Sequence, residues 1–131
     1  MPVNSDIHNI WINWTHPKKI AKWYTGNPQM YTDMVENDLT VGKEFCYTMK
    51  SLDNSLMFQF KGTYILIEEY KKLSFRMNDH RLIHTAFGQA RGKTIITQEV
   101  EVEGHNSLES QAIWWKTILS NFKNFVENQT L

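Results

Sequence analysis

The side chains with the most chemistry to offer are five histidines, His8, His16, His80, His84 and His105. No two of them have metal-ligand spacing on a common face, and none is expected beside a serine or cysteine nucleophile. His84 falls opposite Glu99 when the last two strands are aligned, as a base and its orienting carboxylate would. Both project from the face of the sheet away from the apolar side, so they read as a solvated cross-strand pair. Glu99, Glu101 and Glu103 alternate on that same outer face, too regularly for a catalytic carboxylate pair. The single cysteine, Cys46, rules out an internal disulfide and a cysteine-based zinc cage. No catalytic constellation emerges, and no metal or cofactor is expected. What remains are polar groups aimed inward: Gln98, Gln111, Thr85 and the hydroxyls of Tyr47 and Tyr64. A buried amide left unpaired costs about 1–3 kcal/mol. Gln98 and Gln111 therefore either satisfy one another or hold the polar end of a mostly apolar ligand.

The element that positions these groups is a C-terminal helix over about Ser107 to Glu127. Leu108, Gln111, Ala112, Trp115, Ile118, Leu119, Phe122 and Val126 fall on one face at steps of three and four. Glu109, Lys116, Lys123 and Glu127 fall on the other. Asn106 followed by Glu109 has capping-box spacing. A helix of this length spans about 30 Å and needs a concave apolar surface to lie in.

The preceding chain supplies that surface. Asn4 or Ser5 caps a first helix carrying Ile7, Ile10, Trp11 and Trp14. Thr15-His16-Pro17 ends it and starts a second, which buries Ile20 and Trp23. From about Thr32 the period changes to two. Phe45, Tyr47 and Met49 alternate with polar neighbours, as do Leu56, Phe58 and Phe60. A two-residue turn at Asp53-Asn54 pairs Met49 with Phe58, Tyr47 with Phe60 and Phe45 with Gly62, placing the large residues on one face. Gly62 opposite Phe45 marks a bend or bulge. Leu73, Phe75 and Met77 form a further strand, a three-residue turn follows at Asn78-Asp79-His80, and Ile83, Thr85 and Phe87 continue. Arg91-Gly92 turns the chain into Thr94 to Glu103, pairing Phe87 with Ile96, Thr85 with Gln98 and Ile83 with Val100. Two helices, about six antiparallel strands and a closing helix give an α+β fold in one domain, residues 1–131.

Composition narrows the function. The chain is 41% apolar and 13% aromatic, which argues against disorder. Fourteen basic and fourteen acidic residues cancel, so no nucleic-acid partner is expected. Lys18, Lys19 and Lys22 read as a solvated helix face. No apolar run is long enough for a membrane span or a signal peptide, which makes a cytoplasmic location the expectation. Asn13-Trp-Thr15 and Asn128-Gln-Thr130 match the glycosylation sequon but carry no weight without secretion.

Specific stretches carry a resemblance. They are Trp14-Thr-His-Pro17 through Trp23, Glu36-Asn-Asp-Leu39 with Val41-Gly42, Phe45-Cys-Tyr47-Thr-Met49, and Phe58-Gln-Phe60-Lys-Gly62-Thr-Tyr64. Gln111, Trp115, Ile118-Leu-Ser-Asn-Phe-Lys123 and Val126-Glu127 complete the set. The chain resembles the START-like (Bet v-like, helix-grip) domains of the SRPBCC superfamily, in the branch named after the activator of the heat-shock protein ninety ATPase. The resemblance implies a curved antiparallel sheet wrapped around the C-terminal helix, with a cavity between them for small apolar or lipid-like molecules. It implies no shared catalytic set. Asn37-Asp38 is a motif of the branch, expected to shape a turn. Two departures stand out. The family's opening strand looks missing, since only Met1 to Val3 precede the first helix. A turn that is commonly Asp-Gly is Asp79-His80 here.

The cavity is expected among Phe45, Tyr47, Met49, Phe58, Phe60, Tyr64, Phe75, Thr85, Phe87, Gln98, Val100, Gln111, Trp115 and Phe122. The leading function is binding of a small apolar ligand for sensing, transport or sequestration. The alternatives are a protein-interaction module like the co-chaperone, using an exposed flank at Trp114 and Phe125, and an enzyme using the cavity. With the first strand missing, Thr94 to Glu103 is expected to be a free edge. Its acidic row opposes edge-to-edge pairing, so any homodimer is expected to form elsewhere.

Overall fold

The computed structural model describes residues 1–129, so Thr130 of the second sequon lies outside the described residues. The chain runs β1 (Pro2–Val3), α1 (Ile7–Thr15), α2 (Pro17–Trp23), β2 (Met30–Glu36), β3 (Glu44–Ser51), β4 (Met57–Glu68), β5 (Lys72–Met77), β6 (Leu82–Ala90), β7 (Lys93–Val100) and α3 (Leu108–Glu127). All strands join one antiparallel sheet in the order β1-β7-β6-β5-β4-β3-β2. The six longer strands form a meander, and the sheet curls over α3 as the helix-grip arrangement requires.

Local chemistry sets the helix boundaries. The cap of α1 is Asp6, not Asn4 or Ser5: its carboxylate accepts the Asn9 N–H at 2.9 Å. The Ser5 hydroxyl is already engaged with the Asn9 side-chain amide. His16 serves both helices. Its N–H closes α1 on the Ile12 carbonyl, and its ring Nδ1 accepts the Lys18 N–H at the start of α2. Pro17 sits at the first turn of α2, where no N–H is needed. Asn13, in the first sequon, is buried and accepts from the Gln129 side chain. On α3 the cap is Ser107, whose hydroxyl accepts the Ser110 N–H at 3.0 Å. Asn106 instead donates to Glu103, so the Asn106–Glu109 capping box does not form.

Strand registers follow the alternation. Met49 pairs with Phe58, Tyr47 with Phe60 and Phe45 with Gly62. Ile83 pairs with Val100, His84 with Glu99, Thr85 with Gln98 and Phe87 with Ile96. Three turns differ in type. The β3–β4 connection is wider than two residues: the Ser51 N–H bonds the Leu56 carbonyl, Asn54 alone takes positive φ (+59°), and Asp53 accepts from both the Ser51 and Ser55 hydroxyls. Asn78-Asp79-His80 is the three-residue loop expected, with His80 left-handed at φ +72°. Arg91-Gly92 turns with positive φ at both residues, the type I′ geometry that suits a right-twisted hairpin. At Gly62 a Cβ would come within 2.7 Å of the Phe45 ring and 2.8 Å of Phe75, so close packing excludes a side chain there. The ladder irregularity lies next to it, between Tyr64 and Leu66.

Two expectations about the edge are corrected. The first strand is present, as the two residues of β1: Pro2 pairs with Ile95 and Val3 with Thr94, and Met1 exchanges hydrogen bonds with Ile96. Lys93 and Thr97–Val100 of β7 carry no partner from β1. The strand also ends at Val100 rather than Glu103. Beyond it, the Glu101 carboxylate accepts the Leu82 N–H, and Glu103 is tied to Gln111. Of the acidic row, only Glu99 remains in the strand.

The core lies between α1, α2, α3 and the concave face. Ile10, Ile20, Phe45, Met49, Ile83, Ile96, Ile118 and Phe122 are fully buried. Phe122 is gripped edge-on by Trp14 and Trp23, each at 4.7 Å between ring centres. Within the described residues, no helix is long and apolar enough to cross a membrane.

Candidate functional site

The C-terminal half of α3 buries Ile118, Phe122 and Val126, but its first two turns do not follow. Leu108 is 67% exposed and Ala112 is exposed as well, against the expectation that both belong to the buried stripe. Gln111 is the residue buried there instead. Its Oε1 accepts the Glu103 N–H at 2.9 Å, and its Nε2 donates to the carbonyls of Glu103 and Asn106. The side chain is spent on holding the β7–α3 loop against the start of the helix. Gln111 and Gln98 therefore do not pair with one another.

Aromatic packing fills the interior between sheet and helix. Phe45 contacts Tyr47, Tyr64 and Phe75 with ring centres 4.9, 5.3 and 4.8 Å apart, and Phe60 meets Trp115 at 6.0 Å. These residues, with Trp14, Tyr24, Leu73, Thr85 and Gln98, enclose a space of only about 20 Å³. That is room for about one water molecule. Its polar lining is mostly satisfied. The Tyr64 hydroxyl donates to Asn37 Oδ1 at 2.6 Å, and Asn37 Nδ2 donates to the Thr15 carbonyl, so Asn37 ties β4 to the end of α1. Its neighbour Asp38 shapes the turn, accepting the Thr40 hydroxyl. Gln98 Nε2 donates to the Thr85 hydroxyl, leaving Gln98 Oε1 buried without a partner. Burial pushes the phenols of Tyr24, Tyr47 and Tyr64 well above the ordinary tyrosine range, with neighbouring phenols adding to it for the first two. All three are neutral hydrogen-bonding groups near neutral pH.

The larger space is an open groove of about 510 Å³ between the sheet and the start of α3. Phe58, Phe60, Met77, Trp114 and Trp115 give it an apolar body. Asn78, Asp79 and Arg81 from the β5–β6 turn, with Glu103, Asn106, Ser110 and Gln111, form its polar rim. Phe58 is 39% exposed here and meets Trp114 at 6.2 Å between ring centres. Arg81 Nε donates to Asp79 Oδ2 at 2.7 Å. This contact, together with the Arg81 N–H, holds the Asp79 carboxyl below the usual range despite the opposing effect of its partial burial. On the other flank of α3 a second recess of about 310 Å³ is lined by Val100, Val102, Leu108 and Leu119, with Gln98, Gln111 and Trp115 at its base.

Of the residues expected to line one cavity, Phe58, Phe60, Gln111 and Trp115 meet in the groove. Phe45, Tyr47, Tyr64, Phe75, Thr85 and Gln98 surround the small interior space, and Val100 lies in the second recess. Met49, Phe87 and Phe122 line none of the three and are core. Trp114 is half-buried over Gly26 rather than an exposed flank, and Phe125 is half-buried too. Sequence reasoning missed Met77, Asp79 and Arg81, because nothing in a turn motif says that it will lean toward a helix thirty residues away.

One statement about the histidines is also corrected. Ser74 lies beside His84, its Oγ 2.6 Å from Nδ1. The serine is buried and the pair sits on the outer face, with no ion pair between His84 and Glu99 among the described residues. Nor do three or more metal-ligating side chains converge among those residues.

The model of the family described as activator of Hsp90 ATPase homolog 1-like protein matches residues 4–127. The solution structure of an AHSA1-like protein from Aeromonas hydrophila is 31% identical with a TM-score of 0.88, covering 97% of this chain and 90% of that one. A Cytophaga hutchinsonii protein is 30% identical with a TM-score of 0.83, covering 98% and 89%. A Nitrosomonas europaea protein shares the fold at 14% identity, with a TM-score of 0.79 and coverage of 99% and 92%. No curated protein gives a significant match.

Proposed function

Because this chain belongs to the activator of Hsp90 ATPase homolog 1-like family, we propose that it is a binding module for small apolar ligands. The site is the groove under the start of α3, not the filled interior. One observation carries the reading: an aromatic-walled space of about 510 Å³, within the range of small-molecule sites, with a polar rim on one side. Phe58, Phe60, Trp114 and Trp115 supply the contact area, and the loop held by Gln111 sets the mouth. Sensing, transport or sequestration in the cytoplasm is the use we assign to it.

The test is a titration of fatty acids, flavonoid-like aromatics and isoprenoids against tryptophan fluorescence, with Trp114→Phe and Trp115→Phe as controls. Binding in the micromolar range that both substitutions alter is expected. No binding below millimolar, or a signal indifferent to both substitutions, rejects the reading.

A protein-interaction role is the second reading, favoured by exposed Leu52, Leu56 and Met57 at the β3–β4 tip beside the groove. We propose that any self-association lies away from the β7 edge, part of which β1 already covers, and light scattering with a structure of the assembly tests that.

A further inference from the structure

One wall of the groove runs along β4. Side chains alternate along the strand, with Phe58, Phe60 and Gly62 on the concave face, yet Gln59 and Lys61 also line the groove. The hydrogen-bond pattern explains this. In an antiparallel pair, directly opposite residues alternate between bonded and non-bonded. The Ser51 N–H bonds the Leu56 carbonyl at 3.0 Å, so counting by twos makes Met49–Phe58, Tyr47–Phe60 and Phe45–Gly62 the bonded pairs. Gln59 and Lys61 thus turn their N–H and C=O groups away from β3. On that side β5 pairs with β4 only from Gly62 onward, opposite Met77. There the Met77 N–H already bonds the Arg81 carbonyl and the chain reverses into β6. Lys61 falls opposite Asn78, the first residue of the β5–β6 turn, so the part of β4 that no strand covers on this side is Met57–Phe60, with the backbone groups of Met57 and Gln59 turned toward it.

Resting on the reading of the groove as the ligand site, we infer that it also takes an extended peptide segment with alternating apolar side chains, which adds as a strand to β4 between Met57 and Phe60. An added strand lies about 4.8 Å from β4 and exchanges backbone hydrogen bonds with Met57 and Gln59. Its alternate side chains then point at Phe58, Phe60, Trp114 and Trp115, so the inward positions take apolar residues. The rim charges agree with a neutral amide backbone rather than a carboxylate head group. Arg81 is engaged by Asp79, and Glu103 adds a second carboxylate nearby.

The experiment uses the capped pentapeptide acetyl-Thr-Leu-Thr-Phe-Thr-amide and two derivatives, one N-methylated at Leu and Phe, the other at the three Thr. Naphthalene is the hydrocarbon probe. The parent peptide is expected to bind and to slow amide exchange at Met57 and Gln59. One N-methylated form, blocked on the side facing β4, is expected to lose about tenfold or more, while the other retains binding. Gln59→Pro removes a donor from the groove without touching the β3 ladder, a change that an open strand edge tolerates. It is expected to weaken the peptide by a similar factor and leave naphthalene unaffected. If this variant does not fold, the comparison of the two N-methylated peptides decides alone. Equal binding of the two forms overturns the inference, as does a second copy of the chain pairing at this edge in solution. Naphthalene binding without peptide binding overturns it but leaves the proposed groove standing, and binding of neither probe rejects both.

Discussion

The indole of Trp114 packs against Gly26, leaving no space for a side chain at residue 26. This contact joins the loop after α2 to the start of α3, where Trp114 forms one wall of the groove. Gly26→Ala is therefore expected to displace the indole and destabilise the fold by about 1–3 kcal/mol, the range for overpacking a filled site. Chemical denaturation followed by Trp fluorescence measures both effects. A variant as stable as the parent, with an unshifted emission maximum, shows that the ring has another resting place.

Gln111 is the polar keystone of the groove mouth. Truncation in Gln111→Ala leaves the Glu103 N–H and the carbonyls of Glu103 and Asn106 without their partner. A loss of about 1–3 kcal/mol is expected, with faster amide exchange over residues 103–106. Gln111→Glu keeps the acceptor but removes the two donated bonds, so an intermediate loss is expected.

His80 occupies the left-handed position of the β5–β6 turn at φ +72°. Histidine tolerates this conformation less well than glycine, which carries no Cβ. His80→Gly is expected to stabilise the fold by a few tenths to about 1 kcal/mol, read from the denaturation midpoint. Loss of stability would reveal a contact of the imidazole.

The β3–β4 turn contains a pH-sensitive contact. Hydrogen bonds from the Ser55 and Ser51 hydroxyls, with the Ser55 N–H, lower the Asp53 carboxyl to about 2. A depressed carboxylate contributes stability that is present above its unfolded value near 4 and is lost as pH falls through about 2. The group is solvent-exposed, so the effect is local and small. NMR titration of Asp53 is expected to show the low value, and Ser55→Ala is expected to raise it. An Asp53 that titrates near 4 in the parent protein removes the prediction.

Alternation and helical spacing are encoded one residue at a time, and they determined much of this protein. The run Phe45-Cys46-Tyr47-Thr48-Met49 against Phe58-Gln59-Phe60 admits one register that keeps the rings on one side, and that register is the one formed. The same holds for His84 opposite Glu99, for the left-handed residue at His80, and for Ile118, Phe122 and Val126 as the buried half of α3. What only the tertiary structure decided was where space remains. Whether an inward aromatic lines a cavity or fills it depends on the sum of many ring volumes, and no single position carries that sum. Phe45, Tyr47 and Tyr64 closed the interior, while Gln111 found three backbone partners in the β7–α3 loop. The groove that resulted draws on Arg81, Asp79 and Trp114, side chains whose meeting depends on the angle between a turn and a helix start. The two-residue β1 was illegible for a related reason. Three residues before a helix have no periodicity, and only the waiting edge of β7 makes Pro2–Val3 a strand.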